Sequence, residues 1–314
     1  MNSTVEIPSQ TFFIFVITIE SLCVIIGVTG NLFVILHNVR WNTDKNTSSY
    51  VVINLAVSDL VVCGISFPLY IVEASRVLMG NTEKSDVSCQ LNTSIFCATV
   101  SLSFLNLMML TIDRYICIAL PLKYPHIVTQ RKVSVALVSV WITGFLSFIM
   151  MFFTARATDV PLICEMNKIM ASVVGFFFFY VPLGVTIVFN VKTVKIARNQ
   201  GRKIAAQASS LQTSDSTSTD DLNSRKNFTR QLKLFKTIRV VFGCFLFCVS
   251  PFPVIGFVEF IICNRGCIPP EVIVVLLLLA GLNSIINPFI YGIRDKEYRR
   301  SFKQMLVRCC NWFR

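Results

Sequence analysis

Residues 11–37, TFFIFVITIESLCVIIGVTGNLFVILH, form an apolar stretch with one acidic residue, Glu20, and no Lys or Arg. An α-helix rises about 1.5 Å per residue, so about 20 apolar residues cross a hydrocarbon core about 30 Å thick. Lipid offers no water to backbone amide and carbonyl groups, so a spanning segment must pair them internally. The stretch therefore predicts a membrane-spanning helix.

Six further apolar stretches of similar length follow. With the first, the predicted spans are 11–37, 49–74, 87–113, 133–154, 169–191, 236–262 and 271–293. A transmembrane β-barrel would show alternating segments of about ten residues, and the sequence has none. We therefore expect an all-α membrane protein with a seven-transmembrane helix bundle at 11–293, preceded by residues 1–10 and followed by residues 294–314.

The composition supports a membrane environment. Of the 314 residues, 54% are hydrophobic and 15% are charged, whereas soluble domains carry about 25% charged residues. This balance excludes a disordered chain and argues against a soluble enzyme. The chain has two His residues and no nucleophile–base or metal-ligand spacing, so we expect no enzymatic activity.

The distribution of positive charge predicts the orientation of the bundle. One side of the predicted spans holds only five of the 29 basic residues, namely Arg76, Lys84, Arg156, Lys168 and Arg265. Basic residues concentrate on the cytoplasmic side of membrane proteins. We therefore expect the N-terminus outside and the C-terminus inside, in the plasma membrane. The net charge of +12 then faces anionic lipid rather than nucleic acid.

The polar segments outside the spans also carry predictions. Residues 196–231 are polar and aperiodic, which predicts a flexible cytoplasmic loop accessible to kinases. From residue 294 to 306 basic and apolar residues alternate, which predicts a short amphipathic helix on the inner membrane face. Cys309 and Cys310 follow it and suit palmitoylation. Asn2 and Asn92 head glycosylation sequons on the outer side.

Cysteines on the outer side face an oxidising environment. Cys89 opens the third predicted span and Cys164 precedes the fifth, while Cys263 and Cys267 flank the turn after the sixth. We expect the disulfides Cys89–Cys164 and Cys263–Cys267.

Each predicted span carries a polar or proline residue, and polar groups inside a membrane are costly unless they are paired or functional. In chain order these marks are Gly30-Asn31, Asn54 to Asp59, Asp113-Arg114-Tyr115, Trp141, Pro182, Pro251 and Asn287 to Tyr291. The series resembles the rhodopsin-like (class A) G protein-coupled receptors over nearly the whole chain.

The resemblance implies a receptor that binds an extracellular ligand and activates heterotrimeric G proteins, with arrestins and receptor kinases acting through 196–231. It assigns the coupling switch to Asp113, Arg114, Tyr115, Pro121, Leu122, Asn287, Pro288 and Tyr291. It assigns the activation core to Phe104, Pro182, Phe245, Val249 and Pro251.

Four positions depart from the family pattern. Val249 stands where the family usually has Trp, Asn190 stands where it usually has Tyr, and Phe104 stands where a branched aliphatic residue is common. Gln231 replaces an acid that holds the Arg in some relatives, so we expect Arg114 to be held by Asp113 alone. These changes leave both altered activation and high basal activity open.

The resemblance also implies an allosteric sodium site around an intramembrane carboxylate. Its oxygen ligands would come from Asp59, Ser103, Asn283, Ser284 and Asn287. The alternative is a hydrogen-bonded polar core without an ion. We expect no other cofactor.

The expected ligand pocket is mainly apolar. Its predicted lining is Phe96, Val100, Val174, Phe178, Val249, Phe252, Gly256 and Leu277, with Glu20, Glu73, Glu165 and Glu259 at the rim. Phe96 stands where amine receptors carry an Asp, and Gly281 stands where opsins carry the retinal-binding Lys. This favours a small apolar molecule or a peptide, although a rim glutamate such as Glu20, Glu73 or Glu259 can replace the missing Asp.

Two other classes of protein remain as alternatives. A heptahelical transporter, channel or pump would need a relay of buried acids or an internal repeat, and the sequence shows neither. Val249 and Asn190 suggest a non-signalling decoy receptor, whereas the intact Asp113-Arg114-Tyr115 series argues against one.

Overall fold

A computed structural model describes residues 8–41, 47–81, 83, 85–158, 160–211, 219–258 and 268–312; the side chains at 168, 203–211, 219–227, 257 and 306–312 are not described. Within these ranges, seven helices are long and apolar enough to cross a membrane. They are Gln10–Trp41, Thr47–Leu78, Asp86–Ala119, Gln130–Phe152, Ile169–Arg202, Phe228–Gly256 and Pro270–Arg294. The predicted seven-helix bundle is confirmed, with the ends of the spans shifted by up to about three turns, the most at the cytoplasmic end of the fifth span.

Most spans are single helices and three combine two helices. The elements in chain order are α1 (Gln10–Leu36), α2 (Thr47–Val61), α3 (Phe67–Leu78), α4 (Asp86–Ala119), α5 (Tyr124–Ile127), α6 (Gln130–Phe152), β1 (Arg156–Ala157), β2 (Cys164–Glu165), α7 (Lys168–Gly175), α8 (Val181–Leu211), α9 (Thr219–Val249), α10 (Pro251–Val258), α11 (Pro270–Arg294) and α12 (Lys296–Trp312). The second, fifth and sixth spans are α2–α3, α7–α8 and α9–α10.

Proline explains where these three spans change their helical geometry. A proline has no amide hydrogen and its ring collides with the carbonyl four residues earlier, so the preceding turn widens or breaks. A π-helical turn at Val62–Ser66 precedes Pro68, and another at Phe176–Tyr180 precedes Pro182. The break between α9 and α10 falls at Ser250, immediately before Pro251.

Side-chain amides join neighbouring spans. Asn54 Nδ2 donates to Asn106 Oδ1 at 2.7 Å, and Trp141 Nε1 donates to Asn54 Oδ1 at 2.7 Å. Asn31 Nδ2 donates to the Ser284 carbonyl oxygen at 2.8 Å. These bonds connect the second, third and fourth spans and the first with the seventh, because an unpaired amide in the lipid core is costly.

The cytoplasmic ends of the fifth and sixth spans differ from the sequence-based expectation. The predicted flexible loop at 196–231 is helical at both ends, since α8 continues to Leu211 and α9 starts at Thr219. Residues 203–208, KIAAQA, contain good helix formers. Once a helix has started, a segment in water can extend it without an apolar pattern.

The predicted amphipathic helix after the seventh span is α12. It packs against the first span, because the Phe302 ring meets Phe33 edge-on at 5.0 Å between ring centroids. The Tyr298 ring lies 3.8 Å from His37, and Asn38 Nδ2 donates to the Tyr298 hydroxyl. Apolar contacts and this hydrogen bond therefore hold α12 against the cytoplasmic end of α1.

Candidate functional site

A buried guanidinium group lies at the cytoplasmic end of α4. Arg114 is only 2% exposed, and its Nε donates to Asp113 Oδ2 at 3.0 Å. A second guanidinium nitrogen, Nη2, lies 2.5 Å from the same oxygen. A buried charge requires such compensation, so Asp113 neutralises Arg114 locally.

Arg114 is also held from two other spans. Its Nη1 donates to Gln231 Oε1 of α9 at 2.5 Å, and its Nη2 donates to Ser48 Oγ at the start of α2. The expectation that Asp113 alone would hold Arg114 is therefore wrong. A glutamine side-chain carbonyl accepts a hydrogen bond from a guanidinium group although it has no charge.

The loop after α4 is fastened to the same cluster. Tyr124 of α5 donates its hydroxyl to Asp113 Oδ1 at 2.6 Å. Burial, together with the Asp113 charge, raises the pKa of Tyr124 above its ordinary value, so the hydroxyl stays protonated and remains a donor. In the preceding turn Pro121 is exposed and Leu122 is 91% exposed. An apolar side chain is thus exposed in the turn that leads to Tyr124.

Tyr115 and the predicted activation core pack as aromatic contacts. The Tyr115 ring meets Phe189 of α8 at 4.9 Å. Phe104 and Phe245 are fully buried and meet edge-on, with ring centroids 4.6 Å apart. Pro182 and Val249 are buried, while Pro251 is half-buried. These residues connect the third, fifth and sixth spans in the middle of the bundle.

Asn190, where the family usually has Tyr, is buried and turned back onto its own helix. Its Nδ2 donates to the Thr186 carbonyl oxygen at 3.0 Å. Its Oδ1 has no hydrogen-bond partner within the described residues.

The seventh span places its polar residues around Asp59. Asn287 Nδ2 donates to Asp59 Oδ2 at 2.8 Å, one residue before Pro288, which lies inside α11. Tyr291 is buried one turn later, with its ring 5.6 Å from Tyr298. Its hydroxyl lacks a hydrogen-bond partner in the described part of the chain.

The predicted sodium ligands are buried residues, and several of them have unused oxygen atoms. Asp59, Ser103, Asn283, Ser284 and Asn287 are all buried. Among the described residues, Asp59 Oδ1, Asn283 Oδ1 and Asn287 Oδ1 have no donor. Hard cations bind carboxylate and amide oxygens. The donor set therefore fits a sodium ion, which would supply the missing positive charge.

The outer end of the bundle contains the predicted disulfide Cys89–Cys164, with a Cα–Cα distance of 5.7 Å. The short antiparallel pair β1–β2 places Ala157 opposite Cys164. The second predicted disulfide, Cys263–Cys267, lies outside the described residues, as do Asn2 and Glu259. The side chains of Cys309 and Cys310 are also not described.

The residues of the predicted ligand pocket pack largely against one another. Phe96 is buried and meets Phe252 edge-on at 6.5 Å, and Val174 and Val249 are buried. Val100, Phe178 and Leu277 are half-buried, whereas Gly256 is exposed. Of the rim glutamates, Glu20 is buried, Glu73 is partly buried and Glu165 is exposed.

A cleft lies closer to the outer surface, between α3, the start of α4 and the loop that carries Cys164. Of the residues that line it, the sequence indicated Glu73 but not Ser88 or Asn92. Asn92, which heads a sequon, is 3% exposed inside α4. The spacing of Ser85, Ser88 and Asn92 along one helix face was the available signal.

The chain is similar to known proteins in both sequence and fold. Residues 30–291 match the family described as 7 transmembrane receptor (rhodopsin family). The alpha-1A adrenergic receptor of Mus musculus is 30% identical over 319 residues, which cover 91% of this chain and 66% of that receptor. The histamine H2 receptor of Cavia porcellus is 27% identical over 328 residues, which cover 98% of this chain and 84% of that receptor.

The chain spans just under two thirds of the adrenergic relatives' length. In three dimensions it resembles squid rhodopsin with a TM-score of 0.82 and 19% identity, over 97% of this chain and 89% of that one. This likeness shows the fold. With the family match over most of the chain and seven apolar helices among the described residues, the protein is a multi-pass plasma membrane protein that belongs to the rhodopsin family of seven-transmembrane receptors.

Proposed function

We propose that the protein binds an extracellular ligand and in response activates a heterotrimeric G protein at its cytoplasmic face, without catalysing a reaction itself. The observation that carries this proposal is the buried Arg114, which is bonded to Ser48 of α2 and Gln231 of α9 as well as to Asp113. Because Arg114 is held between three spans, its guanidinium group becomes exposed when these spans separate.

The mechanism is a shift between two arrangements of the bundle. When α9 moves away from α4, the bond from Arg114 to Gln231 breaks and the guanidinium group faces the cytoplasm. Leu122 offers an adjacent apolar contact, and the basic residues Lys192, Lys195 and Arg239 suit an acidic partner surface. We further propose that arrestins and receptor kinases act at this face, through 196–231.

On the outer side we propose a ligand with an apolar body rather than an amine held in the usual place. Phe96 is packed against Phe252 where amine receptors have their acidic residue. The alternatives of a transporter or a decoy receptor are not favoured, since the Asp113–Arg114 pair is intact and bonded to Gln231 of the sixth span.

We propose that sodium binds at Asp59 and stabilises the arrangement in which Asn287 contacts it. Sodium at ten times its dissociation constant is expected to stabilise the purified receptor by about 1.4 kcal/mol. The measurement is thermal melting in sodium chloride against N-methyl-D-glucamine chloride at equal ionic strength. Asp59→Asn is expected to abolish the difference, and an equal sodium effect in that variant would refute the site.

The proposed coupling is tested by breaking the bond between Arg114 and α9. Gln231→Ala removes a hydrogen bond to a charged group, which contributes about 1.5 kcal/mol, so the active arrangement gains about tenfold in population. We expect higher ligand-free activation in cells that carry sensors for each class of G protein. The control is Gln130→Ala, at an exposed cytoplasmic glutamine.

An increase for Gln231→Ala in at least one sensor, absent for Gln130→Ala, would support coupling and name the G protein. Silence of both wild type and Gln231→Ala in every sensor, at normal surface density, would contradict it.

A further inference from the structure

Glu20 is an acidic side chain on the buried face of the first span. It is 4% exposed, and the buried face of α1 carries, at helical spacing, Phe13, Val16, Glu20, Cys23, Gly27 and Asn31. Asn31 bonds to Ser284, one of the predicted sodium ligands, and lies eleven residues, or about 16 Å, further along the helix. Glu20 is therefore buried apart from the sodium ligands.

Apolar packing lies on both sides of this carboxyl group. One turn toward the outer end, Val16 belongs to an apolar cluster that includes Leu278 of α11. One turn toward the middle of the bundle, Cys23 belongs to a second cluster that includes Phe67 of α3. Glu20 Oε2 has no hydrogen-bond partner among the described residues. The first, second and seventh spans thus enclose a carboxyl group without pairing this oxygen.

The ionisable groups near Glu20 carry no positive charge. Those that interact with it are the Cys23 thiol on its own helix and the Tyr70 hydroxyl on α3. The next ionisable groups, which interact with these two or with each other, are Cys63, Cys97 and Asp59. From α11 the apolar residues Val274 and Leu278 pack here. Thiol, phenol and carboxyl groups are neutral or negative, so none of them can compensate a carboxylate.

The basic side chains that the structure describes at the outer end are engaged elsewhere. Arg76 Nη1 lies 3.5 Å from Glu73 Oε2, and Arg156 Nη1 donates to the Ala155 carbonyl oxygen at 2.8 Å. Within the described residues, burial acts on Glu20 and no cation does. An unpaired carboxylate in an apolar interior is far more costly than the neutral acid. The observed packing therefore requires a proton on Glu20.

The outer cleft offers this proton a route to the extracellular side. Tyr70, which interacts with Glu20, also lines the cleft. The cleft has a volume of about 50 Å³, which is room for a few water molecules. A proton that leaves Glu20 thus needs to pass only one side chain to meet water.

We propose that Glu20 is a proton-binding site that links the packing of the first, second and seventh spans to extracellular pH. In the observed arrangement the carboxyl group is neutral among apolar side chains. When the outer ends of these spans separate, water reaches the group, its O–H bond breaks, and the proton passes to water and leaves a carboxylate. The inference goes beyond the proposed function, because it needs neither a G protein nor an organic ligand.

The sign of the pH dependence follows from where the proton is bound. An exposed glutamate has a pKa of about 4.3, so above about pH 5 the unfolded chain has released this proton while the packed bundle retains it. Raising the pH then lowers the folding equilibrium constant by about tenfold per pH unit, until the packed bundle also releases the proton. Extracellular acid therefore stabilises the packed arrangement.

The first test is thermal melting of the purified full-length receptor in detergent at a fixed sodium concentration. Glu20→Gln keeps the shape of the side chain but has no proton to release. Between about pH 5.5 and about pH 7.5, the melting temperature of the wild type is expected to fall by about 5 °C more than that of Glu20→Gln. Glu165→Gln removes an exposed carboxyl group on the outer side and is the matched control, with the wild-type dependence expected.

The second test is infrared absorption, which detects the protonated group directly. At about pH 7 exposed carboxyl groups are ionised, so the C=O stretching band of a carboxylic acid marks a buried neutral one. The measurement is made in the Asp59→Asn background, because Asp59 is also buried. We expect this band in Asp59→Asn and its absence in the double variant Glu20→Gln/Asp59→Asn.

Glu20→Leu keeps the melting test decisive if Glu20→Gln fails to fold. A leucine suits the apolar surroundings, and this variant is also expected to lack the extra pH dependence. Equal pH dependence in the wild type and the Glu20 variants would overturn the proposal, and so would a carboxylic acid band that Glu20→Gln leaves unchanged. Loss of the dependence in Glu165→Gln alone would assign it to another carboxyl group and overturn it too. These assays contain no G protein, so their failure leaves the coupling proposal standing.

Discussion

Arg114→Ala is expected to lower G protein activation by at least about tenfold at equal surface density, in the sensor that responds to Gln231→Ala. The substitution removes the guanidinium group that the proposed mechanism exposes to the G protein. The measurement is best made in the Gln231→Ala background, where the expected basal signal is larger. Arg131→Ala, at an exposed arginine on the same side, is the matched control and is expected to signal normally.

The loss of signalling can be separated from a loss of folding. Without Arg114, the Asp113 carboxylate keeps two hydroxyl donors, from Ser48 at 2.9 Å and Tyr124 at 2.6 Å. We therefore expect surface density to fall less than signalling does. Arg114→Lys retains the charge without the planar guanidinium group. Its signalling is expected to lie between that of the wild type and that of Arg114→Ala. Undiminished signalling in Arg114→Ala would remove this residue from the coupling mechanism.

The spans were predictable from the sequence because lipid constrains composition directly. A run such as 11–37 has no stable alternative to a helix, and the basic residues indicate which ends face the cytoplasm. The same topology placed Cys89 and Cys164 on one side of the membrane, which made their disulfide predictable. Within the described residues, the structure contains the seven spans and the disulfide that the sequence predicted.

Contacts between distant polar residues were not predictable in the same way. Gln231 and Ser48 lie 117 and 66 residues from Arg114, and only the packing of the spans brings their side chains to it. The burial of Asn92 was not predictable for a related reason. Its three-residue sequon contains no information on which face of α4 meets the bundle. The outer cleft depends both on contacts between residues distant in sequence and on which face of α4 is buried. Its polar residues were therefore identified only in part.

Cys89→Ala is expected to destabilise the receptor by about 4 kcal/mol, because the Cys89–Cys164 bridge closes a loop over a sequence separation of 75 residues. The measurements are the melting temperature of the purified protein and the number of receptors at the cell surface, both of which we expect to fall. Cys97→Ala, at a free cysteine on the same helix, is the control. Unchanged values for Cys89→Ala would argue against a structural role for the bridge.

The double variant Cys89→Ala/Cys164→Ala identifies the bond as the cause. Both substitutions break the same bridge, so the pair is expected to cost no more than one of them alone, whereas two independent packing losses would add. Cys89 and Cys164 also line the outer cleft, while Arg114 and Gln231 lie at the opposite end of the bundle. Receptors that reach the surface without the bridge should therefore still respond to Gln231→Ala, because the arginine cluster does not depend on the bridge.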